Sequence, residues 1–310
     1  MNVQPEASKQ EVMPVEKRRG ILSVSLRNHI AAWLFLIPYL VLYVWFMLYP
    51  IVKGFYISLH QWTIGREPVF IGLQNYSYMF KDKYFWGALW NTLYFVILST
   101  PTLVIVGLLL ALVVNAKMKG TTFLRSAFFL PHILSISVIS SIWVFMLQPY
   151  TGFVNSMLHK IGISQEIFWL DDVHLAWISI LIATVWWTVG FNMVLYLAGL
   201  QEIPEEYYEA ARIDGANSWQ CFLHITLPSL KGVTLLIVVL QSIASFKLFG
   251  QPWLMTQGGP GTATRPLVQY IYETGFRSNE MGLSAAMSYF LFAVMIVFAL
   301  IQFKFLSKKD

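Results

Sequence analysis

The sequence predicts an all-α, polytopic membrane protein with six transmembrane helices. One observation is composition: of 310 residues, 57% are hydrophobic types and only 12% are charged. That charged share is about half of what soluble domains carry. The second is spacing. Crossing a bilayer takes about 20 consecutive apolar residues, and six runs meet that length, at about 30–49, 90–114, 127–147, 177–200, 233–253 and 282–306. The third is the basic-residue bias, which orients these runs with both termini cytoplasmic.

In chain order, residues 1–28 are expected to form a disordered basic cytoplasmic tail. They carry Lys9, Lys17, Arg18 and Arg19 and lack the apolar core of a cleaved leader. Residues 29–310 then form the transmembrane domain. The first span, Ile30–Tyr49, is uncharged, and Pro38 is expected to kink it. Between Tyr84 and Ala116 there is no Asp, Glu, Lys or Arg, and the second span lies there with Pro101 inside it. The third span is placed at Ala127–Leu147, the fourth at Trp177–Leu200, the fifth at Val233–Trp253 and the sixth at Gly282–Leu306. The aromatics between residues 51 and 87 suit anchoring at the membrane interface.

An even number of spans puts both termini on one side. With the termini cytoplasmic, thirteen of the 21 Lys and Arg fall in cytoplasmic segments, seven fall outside and Lys247 lies within the fifth span. Basic residues gather on the cytoplasmic side near helix ends. Here Lys117, Lys119 and Arg125 after the second span, and Lys304, Lys308 and Lys309 after the sixth, carry the signal. The net charge of +5 is thus assigned to topology, with no nucleic-acid partner expected.

Several chemistries are set aside. A single cysteine, Cys221, rules out a disulfide within the chain and an all-cysteine metal site. The six histidines show no HxxxH or HExxH spacing, so no metal centre is expected. The segment GLSAA at 282–286 lacks the second glycine of a nucleophile elbow. The Gly-rich MTQGGPGTATRP at 255–266 is no phosphate loop, because GxxxxGK[ST] is absent. Neither enzymatic activity nor ATP hydrolysis is expected of the chain itself.

The least apolar stretch between spans is QEIPEEYYEAARIDGANSWQCFLHITLPSL, Gln201–Leu230, on the expected cytoplasmic side. Pro204 suits the first turn of a helix, and Glu205 and Glu206 suit its positive end. Asp214-Gly215 is a turn pair that stops the helix. Asn217 and Gln220 have the spacing of a capping box for a second helix, which Pro228 is expected to end. Two readings stand for this compact knob: docking into a partner's groove, or an interfacial hairpin in which Glu209 pairs with Arg212 at i+3.

Lys247 also has two readings, a residue of a substrate path or one that snorkels to the interface. Asn91, Asn192, Gln241 and Ser245 either line such a path or bond to neighbouring helices.

The string EAARIDGANSWQCFLHITLP resembles the EAA motif of permease subunits of binding-protein-dependent ABC importers. Its pattern is EAA, three residues, Gly, nine residues and I-x-L-P. Glu209, Ala210, Ala211, Gly215, Ile225, Leu227 and Pro228 fill the fixed positions. The segments GLQNYSYMFKDKYFWGALWNTLYF from Gly72, RSAFFLPHILS from Arg125, QPYTGFVNSML from Gln148 and MTQGGPGTATRPLVQYIYETGF from Met255 resemble the carbohydrate-uptake branch, of the maltose type.

The resemblance implies a multi-pass subunit of the cell (inner, cytoplasmic) membrane. It would pair with a second permease subunit and dock on an ATP-binding subunit dimer through those seven motif positions. An extracytoplasmic sugar-binding protein would deliver solute from outside, meeting Gly258, Gly259 and Pro260. The chain would bind no cofactor, with ATP-Mg used by the ATP-binding partner. The implied solute is a di- or oligosaccharide. Alternatives are glycerol 3-phosphate or a similar small polar solute, and a stand-alone secondary transporter.

Overall fold

The computed structural model describes residues 21–116 and 120–307. The expected tail up to residue 20, and Lys117, Lys119, Lys308 and Lys309, lie outside the described residues. The chain divides into two compact units, residues 1–54 and 55–310.

In the first unit, helix α1 (Ile21–Tyr43) begins ahead of the apolar run at Ile30 and continues through Pro38 without a break. A π turn, Val44–Leu48, follows, in which the Tyr49 N–H bonds the Val44 carbonyl. The turn sits just ahead of Pro50, which has no N–H and whose ring crowds the carbonyl four residues back; the wider π turn relieves that crowding. Over residues 32–54 no side chain is buried, with Phe35 at 86% exposure and Phe46 at 73%, as lipid-facing or partner-facing surface would be.

Helix α2 (Tyr49–Ser58) leads to a short antiparallel pair, β1 (His60–Gln61) with β2 (Val69–Phe70), in which His60 faces Phe70. Helix α3 (Gln74–Lys81) is tied to it by Asn75, whose buried Nδ2 donates to the carbonyls of Ser58 (2.8 Å) and His60 (2.9 Å). Helix α4 (Lys83–Asn115) is the longest element, capped by Asp82, whose Oδ1 accepts from Tyr84 N–H at 2.9 Å.

Two helices occupy the region read as the third span: α5 (Thr121–Ile133) and α6 (Ile136–Met146), bent 101° to each other. The stop and restart are local. Pro131 lies in the last turn of α5, and Ser135 takes an extended conformation and caps α6. The indole N–H of Trp187 satisfies the freed Leu134 carbonyl at 3.1 Å. The single helix expected over 127–147 is corrected accordingly.

Helix α7 (Phe153–Lys160) and a loop precede α8 (Val173–Gln201). Asp172 caps α8, and the N–H groups of Leu175 and His174 hold its carboxyl below the usual range. The segment read as the fifth span is also divided: α12 (Lys231–Phe246) ends before Lys247, and a short α13 (Gly250–Met255) follows. Helix α14 (Leu267–Tyr272), a π turn at Glu273–Arg277 and α15 (Met281–Ser307) complete the chain.

Four helical stretches are long and apolar enough to cross a membrane: Ala32–Ser58, Lys83–Asn115, Val173–Gln201 and Met281–Lys304. Two bent pairs, Thr121–Met146 and Ser218–Phe246, raise the number to six if each is one span.

The core is built on α4, which packs most extensively on α8, then on α12. At one end Phe85, Leu89 and Val96 meet Phe246, Leu267, Met287 and Leu291. At the other end Ala111 and Val114 meet Met193, Tyr196, Leu230 and Ile237. A third cluster joins Phe95, Trp177, Ile180 and Leu248. Small residues set the approach of the helices: a Cβ on Gly190 would lie 2.1 Å from the Phe128 carbonyl oxygen, and one on Gly107 2.8 Å from Asn192 Cβ.

Candidate functional site

The loop after α8 folds as two short helices at a sharp turn. Helix α9 (Glu205–Ile213) starts directly after Pro204, with Glu205 and Glu206 in its first turn and Arg212 in its last. It closes with Ala216 N–H bonding Ala211 O at 2.8 Å and Gly215 N–H bonding Arg212 O at 3.1 Å, Gly215 having φ +84°. That left-handed conformation is the one glycine adopts at no steric cost. Helix α10 (Ser218–Cys221) starts on the expected capping box. Asn217 Oδ1 accepts from Gln220 N–H (2.9 Å), and Gln220 Oε1 accepts from Asn217 N–H (2.8 Å).

Pro228 does not end this helix. A π turn, Phe222–Thr226, precedes α11 (Leu227–Ser229), and the break falls at Leu230. As at Pro50, the turn ahead of the proline widens. The two arms are joined by a hydrogen bond between Tyr208 OH and Thr226 Oγ1 at 2.9 Å.

Glu209, Ala210, Gly215, Leu227 and Pro228 are exposed, while Ala211 and Ile225 are half-buried. Around them stand Ile213 at 86% exposure, Trp219 at 66% and Tyr207 at 57%. Trp219 stacks on Phe222 with centroids 5.4 Å apart. The Glu209–Arg212 pair is not formed; among the described residues the Glu209 carboxylate has no ion-pair partner. A clustered apolar surface of this kind marks a contact site for a protein or a membrane surface.

The five residues read as a substrate path separate into two places. Asn91 braces the loop at 255–266, its Nδ2 donating to the carbonyls of Thr262 (2.9 Å) and Arg265 (3.0 Å). The others gather where α4, α8 and α12 meet. Asn192, fully buried, donates to Leu103 O at 3.3 Å and accepts from Gln241 Nε2 at 2.6 Å. Ser245 shares a hydrogen bond with Ser99 at 2.8 Å. Gln241, Ser245 and Lys247 line a cavity of about 290 Å³ with Trp187, Phe249 and Gln251, while Asn192 stands behind Gln241. Asn91, Asn192, Gln241 and Ser245 thus bond to neighbouring segments, and Gln241, Ser245 and Lys247 also border a cavity. Gln251, buried at 4% exposure, escaped the sequence reading. It sits in an apolar FGQPW stretch that carries no periodic signal.

The Gly-rich segment at 255–266 is a folded turn. Gly258 is buried with φ +84°, and a Cβ there would lie 2.7 Å from Gln269 Nε2. Gly259 and Pro260 are half-buried, joined by a cis peptide, and the exposed tip is Gly261–Thr262. Thr264, fully buried, donates to Gly259 O at 2.6 Å. Beneath the turn Arg265 pairs with Glu273 at 3.2 Å and stacks over the Tyr270 ring at 4.6 Å. The Tyr270 hydroxyl donates to Asp82; burial first, then that carboxylate, raises its pKa above the tyrosine range. Among the described residues no group of three or more His, Cys, Asp or Glu is placed to hold a metal ion.

Residues 76–309 match the family described as "Binding-protein-dependent transport system inner membrane component". The chain is 37% identical to the probable ABC transporter permease protein YurN of Bacillus subtilis (strain 168), over 90% of this chain and 97% of that one. It is 36% identical to the arabinooligosaccharides transport system permease protein AraP of the same organism, over 93% of this chain and 92% of the other. In structure it resembles a chain of a bacterial ABC transporter involved in the import of the acidic polysaccharide alginate. The TM-score is 0.82 and the identity 25%, over 93% of this chain and 99% of that one.

Proposed function

The chain belongs to the family of binding-protein-dependent transport system inner membrane components, and from that premise we propose that it is one of two permease subunits of a carbohydrate importer. The likeness to an arabinooligosaccharide permease and to an alginate importer supports a di- or oligosaccharide as solute. In this reading the chain contributes six spans with both termini cytoplasmic, the bent pairs counting as the third and fifth. It lies in the cytoplasmic membrane beside a second permease subunit. The chain binds no cofactor; ATP-Mg is bound and hydrolysed by a separate subunit dimer. A sugar-binding protein delivers solute to the outer face, where Gly259, Pro260 and the Gly261–Thr262 tip are accessible and Gly258 acts by shaping the turn.

The observation that carries the reading is the knob at Gln201–Leu230. Glu209, Ala210 and Ala211 lie on α9, Gly215 makes the bend, and Ile225, Leu227 and Pro228 carry the second arm towards α12. Because only Leu230 separates α11 of the knob from α12, movement of the docked knob is transmitted to α12, which borders the cavity. ATP binding brings the ATPase halves together, and the energy of docking in that state shifts the inward–outward equilibrium.

The test is solute uptake by the complete importer carrying Glu209→Lys or Gly215→Pro. Uptake and solute-stimulated ATPase activity are expected to fall at least about tenfold, the loss of one charge-assisted contact or of the bend. The amount of protein in the membrane should be unchanged. Wild-type uptake in both variants would remove the coupling role.

A further inference from the structure

The cavity bordered by α4, α8 and α12 holds two polar side chains with no partner among the described residues. Its other polar groups are occupied. Gln241 donates to Asn192, Ser245 shares a hydrogen bond with Ser99, and Trp187 donates to Leu134 O. Thr184 and Thr188 donate to carbonyls one turn back in α8. Lys247, by contrast, follows the last turn of α12 with an exposed side chain, and no Asp or Glu lines the cavity. Among the described residues its ammonium forms no ion pair. Gln251 is nearly buried, lines the same cavity, and its amide makes no hydrogen bond among the described residues.

Within a bilayer an ammonium at the end of an apolar helix is costly to leave unpaired, and the Gln251 amide, on a residue only 4% exposed, stays accessible from the cavity with its hydrogen-bonding groups unused. The position of Lys247 just past the C-terminus of α12 favours a cation through the helix dipole, but that leaves its hydrogen-bond donors unused. The remaining surface of the cavity is aromatic and aliphatic: Phe95, Trp187 and Phe249. At about 290 Å³ the cavity is at the lower end of small-ligand pockets, about 300–1,000 Å³.

We infer that the solute carries an anionic group, a carboxylate, sulfonate or phosphate, which Lys247 receives while the Gln251 amide bonds an adjacent oxygen. On the carbohydrate reading, on which this rests, the solute is an acidic saccharide. The aromatic walls take its CH faces, and Lys247 supplies selectivity against neutral sugars. Such selectivity follows from asymmetry: a neutral solute leaves the ammonium and the amide desolvated and unpaired.

The test uses the complete importer, with both permease subunits, the ATPase pair and the binding protein, in proteoliposomes. ATP-dependent uptake is measured for digalacturonate, maltose and glycerol 3-phosphate. The expected result is uptake of digalacturonate over maltose. Lys247→Gln should lower it about tenfold or more and Gln251→Ala severalfold, as loss of a charge-assisted and a neutral hydrogen bond, while Lys247→Arg retains most of it. Copurification of the partner subunits should be unchanged in all three.

Preference for maltose in the wild type overturns the inference and leaves the carbohydrate reading standing. Uptake of glycerol 3-phosphate alone, lost in Lys247→Gln, supports the anionic site and overturns the carbohydrate reading. Loss of the partner subunits in Lys247→Gln overturns the inference, because Lys247 would then be paired with an acid of the second permease subunit. So does uptake of digalacturonate that is indifferent to Lys247, or no uptake of any probe.

Discussion

At Gly190 a Cβ would stand 2.1 Å from the Phe128 carbonyl oxygen and 2.8 Å from Phe129 Cα, all of it backbone of α5 that cannot rotate away. At Gly87, in the same class of apolar helix, a Cβ would meet nothing within 4 Å. The two glycines therefore predict opposite outcomes for the same substitution. Gly190→Ala is expected to destabilise by about 1–3 kcal/mol, the usual cost of overpacking, read as a lower melting temperature in detergent and less protein in the membrane. Gly87→Ala is expected to be neutral or mildly stabilising, since alanine is the better helix former. A Gly190→Ala variant as stable as wild type would show that α5 and α8 approach less closely than described. None of this was legible in the sequence, because the atoms that make Gly190 necessary lie some sixty positions away in the chain. Gly215 was legible for the opposite reason: its demand is local, a positive φ just after an Asp at the end of an amphipathic helix. The same division separates Asn217–Gln220, a capping box read correctly from spacing, from Gln251, whose significance depends on a cavity made by other helices.

Among the elements, the long apolar helices α4, α8 and α15 were readable because length and hydropathy suffice, and no periodicity is needed when a helix is apolar all round. The interruptions were not. The break between α5 and α6 falls inside a continuous apolar run, where Ser135 looks like one more small residue until its cap is seen. The end of α12 at Phe246 is similarly silent, since the apolar composition continues into α13. Pro228 was read as a stop, whereas a π turn precedes it and α11 carries the second arm past it. Of the two readings for Asn91, its hydrogen bonds match the one that ties neighbouring segments: it braces α4 against the turn at 258–266. That role predicts a regional effect. Asn91→Ala should speed amide hydrogen exchange at Thr264, whose N–H bonds Gly258 O at 3.1 Å, and across residues 258–266. Exchange in α8 should be unaffected. Equal protection of the outer turn in both proteins would mean that Thr264, Arg265 and Glu273 hold it without help.

For the whole molecule, helices alone leave the number of spans between four and six, and charge must decide the rest. With six spans and cytoplasmic termini, thirteen basic residues fall inside and seven outside, the bias expected of the cytoplasmic side, and in that proposed orientation the Glu209 knob faces the ATPase. Orientation and coupling thus stand or fall together, which permits one measurement on both. The sole cysteine, Cys221, is buried, so a Cys221→Ser background gives a chain with no native thiol. Into it single cysteines are placed at exposed positions, Glu202→Cys at the start of the knob and Thr262→Cys or Ser278→Cys on the face expected to be extracytoplasmic. In right-side-out vesicles a membrane-impermeant maleimide is expected to label the variants at 262 and 278. The variant at 202 should react only in inside-out vesicles. With five crossings or seven the two termini would lie on opposite sides, and a tag at each end would separate by the same criterion. Labelling at 202 from the outside would invert the topology, and the exposed Ile213, Trp219 and Tyr207 would then need a partner outside the cell. No ATP-driven closure could reach them there, so the carboxylate of Glu209 would lose the role assigned to it even if every helix were correctly placed.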